Sequence, residues 1–231
     1  MTIHRPGLPS DLPEPALLWA RWGVNAVVRT TTAKEARGAR RTGIWSDDEG
    51  LHLDDCGSTW WTFAAADEGR WVLYGEDESS GCKWHKPPVD VLAGGPDWLP
   101  YDELRELLDG WELGCVYWYE DGAWARAPYP GDLKDDGLDC GMSRFTDRQE
   151  ALDLLVDLVG YDKAAAEVLL AAAEERRLTP ELLAAHVVAE DGGAPDLPAM
   201  VRALERTGLG PAPGRAGSRR VSSRGRRRSS G

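Results

Sequence analysis

GCVYWYEDGAWARA, residues 114–127, reads as two short strands around a tight turn. Cys115, Tyr117 and Tyr119 alternate with Val116 and Trp118, so aromatic side chains fall on both faces, the pattern of a strand covered on two sides. The Glu-Asp-Gly between the two runs suits a hairpin, because Asp-Gly tolerates the positive φ that tight hairpin turns require.

The same grammar extends upstream. GIWS, LHLDD, TWWTFAAA and RWVLYG are strand-like runs separated by SDDEG and ADEG. One helix is predicted within this region, at LPYDELRELLDG. Leu104, Leu107 and Leu108 recur at helical spacing, and Gly110 occupies the expected C′ position. Nearer the start, PALLWARWG predicts a short helix and NAVVRTTT a strand.

From residue 146 the apolar period changes to 3.6. Thr146 with Gln149 predicts a capping box ahead of ALDLLVDLV, and Gly160 is its stop. Asp162 caps an Ala-rich helix, Thr179-Pro180 opens the next, and Asp196 opens a last one ending at Gly208. The expected fold is α+β: an acidic, antiparallel, Trp-rich sheet domain over 1–143 and a small helical bundle over 144–208. Residues 209–231 are Gly-, Ser-, Pro- and Arg-rich without apolar periodicity and are expected to be a disordered basic tail.

Composition narrows the function. Eleven tryptophans accompany two phenylalanines. Tryptophan combines a large apolar body with an indole N–H, which suits half-wet and binding surfaces. The net charge of -12 conceals a split, because seven arginines and no acids lie beyond residue 209; without them the first 209 residues carry -19. Such a body repels nucleic acid and anionic membranes and favours cationic partners. The polar, Pro-rich start lacks an apolar leader, and no apolar run is long enough to span a bilayer. With four widely spaced cysteines, these features predict a cytoplasmic protein with reduced thiols and no membrane association.

Two constellations could carry chemistry. His52-x3-Cys56 followed by Cys82-x2-His85 offers four nitrogen and sulfur ligands of the kind zinc takes. Against it, residues four apart on a strand are separated by ~13 Å, so β-structure would have to end or bulge near Asp54 and Asp55. Cys82 with His85, flanked by Lys83 and Lys86, also has the makings of a thiol nucleophile and its base. DLKDDGLDCGMS, residues 132–143, fails as a calcium loop because Lys134 and Ser143 stand where carboxylates belong. No cofactor is expected, with zinc at His52, Cys56, Cys82 and His85 as the alternative.

Around residues 147–190, Val159-Gly160-Tyr161 with Ala165, Val168, Leu169 and Ala172 resembles a ubiquitin-associated three-helix module, although the usual Met before Gly is missing. That resemblance implies compact helix packing. The strings WWTF, KWH and WYEDGAWARAPYP resemble uncharacterised proteins of actinobacterial type. The acidic, Trp-rich α+β body is similar to immunity proteins of polymorphic toxin systems, including the SUKH group, which implies binding rather than catalysis.

The leading expectation is a non-enzymatic protein-binding module, an immunity or interaction factor for a basic partner. Its candidate binding residues are Asp47, Asp48, Glu49, Glu76, Asp77 and Glu78, with Trp84, Trp118 and Trp124 as aromatic anchors. The alternatives are a metal-dependent or thiol enzyme centred on Cys82 and His85, and a nucleic-acid-associated protein acting through the arginines of 215–228. Because alternate hairpin turns point to opposite ends of an antiparallel sheet, the acids should form two rims.

Overall fold

A computed structural model describes residues 2–30, 41–188 and 194–212. At its centre is a six-stranded antiparallel meander in sequential order: β1 (Gly43–Ser46), β2 (Leu51–Asp54), β3 (Thr59–Ala65), β4 (Trp71–Asp77), β5 (Cys115–Glu120) and β6 (Ala123–Arg126). The quoted hairpin pairs Tyr117 with Arg126 and Glu120 with Ala123. Asp121 (φ 53°) and Gly122 (φ 82°) make the turn with both central residues at positive φ, which matches the right-handed twist of the strands.

Period-2 alternation sends the two halves of each strand's side chains into different cores. Leu53, Trp61, Phe63, Leu73, Cys115 and Tyr117 face one way; Trp60, Ala64, Val72, Tyr74, Val116 and Trp118 face the other. The second face is covered by the long β4–β5 connection, which supplies Cys82, Val91, Leu99 and Leu113, and by helix α2 (Tyr101–Asp109), which supplies Leu104.

The first face is covered by α1 (Pro15–Arg29) and α3 (Asp139–Thr146). The NAVVRTTT segment departs from expectation: Asn25–Arg29 continues α1 rather than forming a strand. The helix is apolar on two sides, which hides its period. Leu18, Trp22 and Ala26 pack on the sheet, while Ala20, Val24, Val27 and Val28 pack into the bundle. Gly23 lets Leu209 approach, since a Cβ there would lie 3.0 Å from Leu209 Cδ1.

The bundle comprises α4 (Arg148–Val156), α5 (Lys163–Glu174), α6 (Pro180–His186) and α7 (Leu197–Thr207). Asp162, Thr179 and Asp196 cap their helices as expected, and Gly160 and Gly208 adopt left-handed conformations as stops. The capping box at Thr146 is corrected: Thr146 is buried at the end of α3, and Asp147 caps α4 by accepting from the amides of Gln149 and Glu150. Arg21 and Arg148 both pair with Glu174 at 2.9 Å, tying α1, α4 and α5 together.

The division expected at 143/144 falls inside α3, and α1 belongs to both cores. Leu209, expected in the tail, is fully buried, and its carbonyl accepts the Leu178 N–H at 3.1 Å. The arginines of the tail and residues 31–40 lie outside the described residues. Among those described, no helix is long and apolar enough to cross a membrane. All four cysteines are free.

Candidate functional site

Two large aromatics stand out of the β4–β5 connection that covers the sheet's second face. Trp84 is 66% exposed and Trp111 is 55% exposed. Their ring centroids are 5.4 Å apart at an interplanar angle of 52°. Two adjacent indoles with more than half their surface exposed form an aromatic patch of the kind that anchors interfaces when a partner desolvates it.

Local geometry holds the pair in place. α2 does not end as expected with Gly110 in the left-handed region: Gly110 has φ -75°, and Trp111 takes φ 61° instead. The Trp111 N–H bonds the Leu108 carbonyl and the Glu112 N–H bonds the Leu107 carbonyl at 2.9 Å, closing the helix end. A tryptophan in that conformation costs about 1–2 kcal/mol that glycine would not, and such strain clusters at functional sites. Lys83 bridges the Glu76 carboxylate and the Trp111 carbonyl (2.6 Å to the latter), joining the two tryptophan-bearing loops.

Beside the pair lies a slot of about 190 Å³, walled by Val89, Val91, Leu108, Trp111 and Leu113 with Lys83 at its edge. Glu78, Asp109, Glu112 and Asp132 are exposed in the flanking segments. The ring nitrogens of His85 meet Pro87 O (2.8 Å) and Asp132 Oδ1 (3.0 Å). Those two oxygens, the Pro87 carbonyl first, raise the affinity of His85 for its proton.

The other expected anchors are elsewhere. Trp118 is buried beneath the β4–β5 connection at 7% exposure. Trp124 is half-buried and donates its indole N–H to Pro13 O at 2.8 Å, fastening the N-terminal segment. Asp77 is buried and structural, accepting from Ser79 N and the Thr59 hydroxyl. Burial raises its pKa, but these bonds outweigh that and leave the carboxyl below its usual range. Glu76 is neutralised by Lys83, whereas Asp48, Glu49 and Glu78 lie exposed at the surface, Asp48 with Arg206 at 3.7 Å. The meander sends 47–49 and 120–121 to one end and 76–78 to the other, but with Asp77 buried and Glu76 paired, Glu78 alone of the second group stands exposed.

The four-ligand zinc arrangement is not assembled. His52 sits on β2 with its ring nitrogens at Thr62 and Asp47, Cys56 is exposed in the β2–β3 turn, and Cys82 is buried in the second core. His85 faces Asp132. The Cys82–His85 pair is likewise no nucleophile and base: burial pushes the thiol up to about 11, and both histidine nitrogens are engaged by other oxygens. Comparison with protein-family models, curated proteins and solved structures finds no match for the chain.

Proposed function

We propose that the chain is a non-enzymatic binding module for a basic protein segment, gripped by Trp84 and Trp111. The observation that carries this reading is the exposed tryptophan pair, held at a strained helix end beside an apolar slot within a body of charge -19. An arginine or lysine side chain from the partner lays its cation over the indole faces and its aliphatic stem in the slot. A desolvated cation–π contact contributes about 2 kcal/mol. The acids steer the encounter from a distance. The role of an immunity factor, or another factor that masks a cationic surface, fits this chemistry.

Two kinetic signatures are expected in surface-binding measurements with an arginine-rich peptide. Replacing the exposed Glu78, Asp109 and Glu112 with Ser slows association and flattens its salt dependence, as the Debye length shortens from ~10 Å at 0.1 M to ~3 Å at 1 M. Trp84→Ala instead accelerates dissociation about 30-fold, the equivalent of a ~2 kcal/mol anchor. Equal effects of both changes on dissociation, or salt-indifferent association, contradict the proposal. Residues 215–228 contain seven arginines, the same side chain as the peptide, so the titration is run with and without them.

A further inference from the structure

At the opposite end of the sheet, the β1–β2 hairpin gathers a second constellation. We propose that Asp47, Glu49 and His52 form a site for a divalent first-row transition ion of the zinc class. One donor atom from each of the three lies within 4.8 Å of the others. The spacing Asp-x-Glu-x-x-His is brought together by a turn that admits only glycine at position 50, where a Cβ (φ 150°) would stand 2.4 Å from the Phe63 carbonyl oxygen. This site rests on different residues from the tryptophan pair and stands or falls separately.

The imidazole distinguishes this group from a solvated acidic turn. His52 is buried at 8% exposure, and its ring stacks on Trp45 with centroids 5.0 Å apart and planes 15° from parallel. Its Nδ1 lies 3.1 Å from the Thr62 hydroxyl on the neighbouring strand, and its Nε2 lies 2.7 Å from Asp47 Oδ1. A neutral imidazole has one ring proton. In that neutral form the Asp47 carboxylate can only accept, so Nε2 donates to Asp47 Oδ1 and Nδ1 accepts from the Thr62 hydroxyl. With a cation on Nε2, the proton moves to Nδ1 and Thr62 becomes the acceptor, the outer-shell arrangement that orients metal-binding histidines. A hydroxyl serves both states, so the Thr62 side of the ring stays satisfied without rearrangement, while on the other side Nε2 and Asp47 Oδ1 open from 2.7 Å to about 3.3 Å, the spacing of two tetrahedral ligands at ~2.0 Å from one ion.

Asp47 is oriented for the same task. Its Oδ2 accepts from Trp45 Nε1 at 3.1 Å and its Oδ1 from Glu49 N at 3.0 Å. Glu49 is exposed, and three protein ligands leave room for water or a ligand group in the remaining position. Trp45 and His52 also wall a groove of about 220 Å³ together with Asp54, Trp60, Thr62 and Glu112. One imidazole and two carboxylates select zinc-like ions over magnesium and calcium, which take oxygen alone.

The test is calorimetric titration of the chelator-treated full chain with Zn²⁺, then with Mg²⁺ and Ca²⁺. One equivalent of Zn²⁺ should bind, with Glu49→Gln weakening affinity at least ~10-fold and Thr62→Val by ~10–100-fold, the range found when outer-shell partners are removed. His52→Ala should abolish the heat. Glu49→Gln, an exposed turn change, keeps the test decisive if the buried His52 variant fails to fold. No Zn²⁺ binding, equal binding by Glu49→Gln, loss on Cys56→Ser instead, or Mg²⁺ binding as tight as Zn²⁺ each overturns the site.

Discussion

Trp22→Ala is expected to be among the most destabilising single changes in the chain, at about 3–5 kcal/mol, the cost of truncating a fully buried tryptophan. Trp22 is completely buried. Its ring stacks on Phe145 with centroids 4.7 Å apart and planes 2° from parallel, and on Phe63 at 6.2 Å. The side chain therefore links α1 to both the sheet and α3, and its removal opens the interface that all three share. The indole N–H also donates to the His52 carbonyl at 3.3 Å, a hydrogen bond that alanine cannot make. At roughly 2–4 °C per kcal/mol for a chain of this size, the melting temperature should fall by about 10 °C. Trp84→Ala, which removes no buried side chain, should leave it within ~2 °C. Equal effects of the two variants would contradict the packing described.

Asp136→Ala should be comparably severe for a polar reason. Asp136 is fully buried, and its carboxylate accepts from Tyr117 Oη at 2.6 Å, Tyr129 Oη at 3.2 Å, Gly7 N at 2.9 Å and Leu138 N at 3.3 Å. Alanine leaves these donors in the interior without an acceptor, and each buried unpaired group costs about 1–3 kcal/mol. A destabilisation of ~3–5 kcal/mol should appear in urea unfolding as a lower midpoint. Hydrogen exchange should rise first at Gly7, because this bond fastens the N-terminal segment across the sheet's edge. Tyr117→Phe removes one donor and leaves the others satisfied, so its cost should stay near ~1 kcal/mol. A Tyr117→Phe effect as large as that of Asp136→Ala would show that the phenol, not the carboxylate, organises the cluster.

The β-meander is legible in the sequence because its signals are local. Strand runs, Asp-Gly turns and helix caps at Asp162, Thr179 and Asp196 each need a handful of neighbouring residues. The second half of α1 is hard to read, because Val24, Val27 and Val28 contact the bundle while Leu18 and Trp22 contact the sheet, leaving only the narrow polar row of Arg21, Asn25 and Arg29 to mark the helical period. Thr146 and Asp147 are both competent caps, and the choice between them depends on α3, whose kink at Cys140 and Gly141 has no sequence period to announce it. Among the functional candidates, Trp84 is visible beside its charged neighbours. Trp111 is hidden from a sequence reading because it follows Gly110, a residue that by itself suffices as a helix stop, and its left-handed conformation is a tertiary outcome. His52 is recognisable as a ligand, but its neighbours Asp47 and Glu49 read only as members of the acidic rim. Cross-strand pairing with Thr62 and the turn at Gly50 bring the three together, and neither is encoded in a spacing motif.

Docking of a basic segment on Trp84 and Trp111 is read out by the indole N–H resonances of the eleven tryptophans during titration with an arginine-rich peptide. Assignment comes from single Trp→Phe variants. The Trp84 and Trp111 signals should shift together and saturate at low salt, while the buried Trp22, Trp61 and Trp118 signals stay in place. The response should shrink in 1 M salt and disappear with a glutamine-substituted peptide. Saturating shifts confined to other tryptophans, or no response from Trp84 and Trp111 at low salt, would rule out docking at this pair.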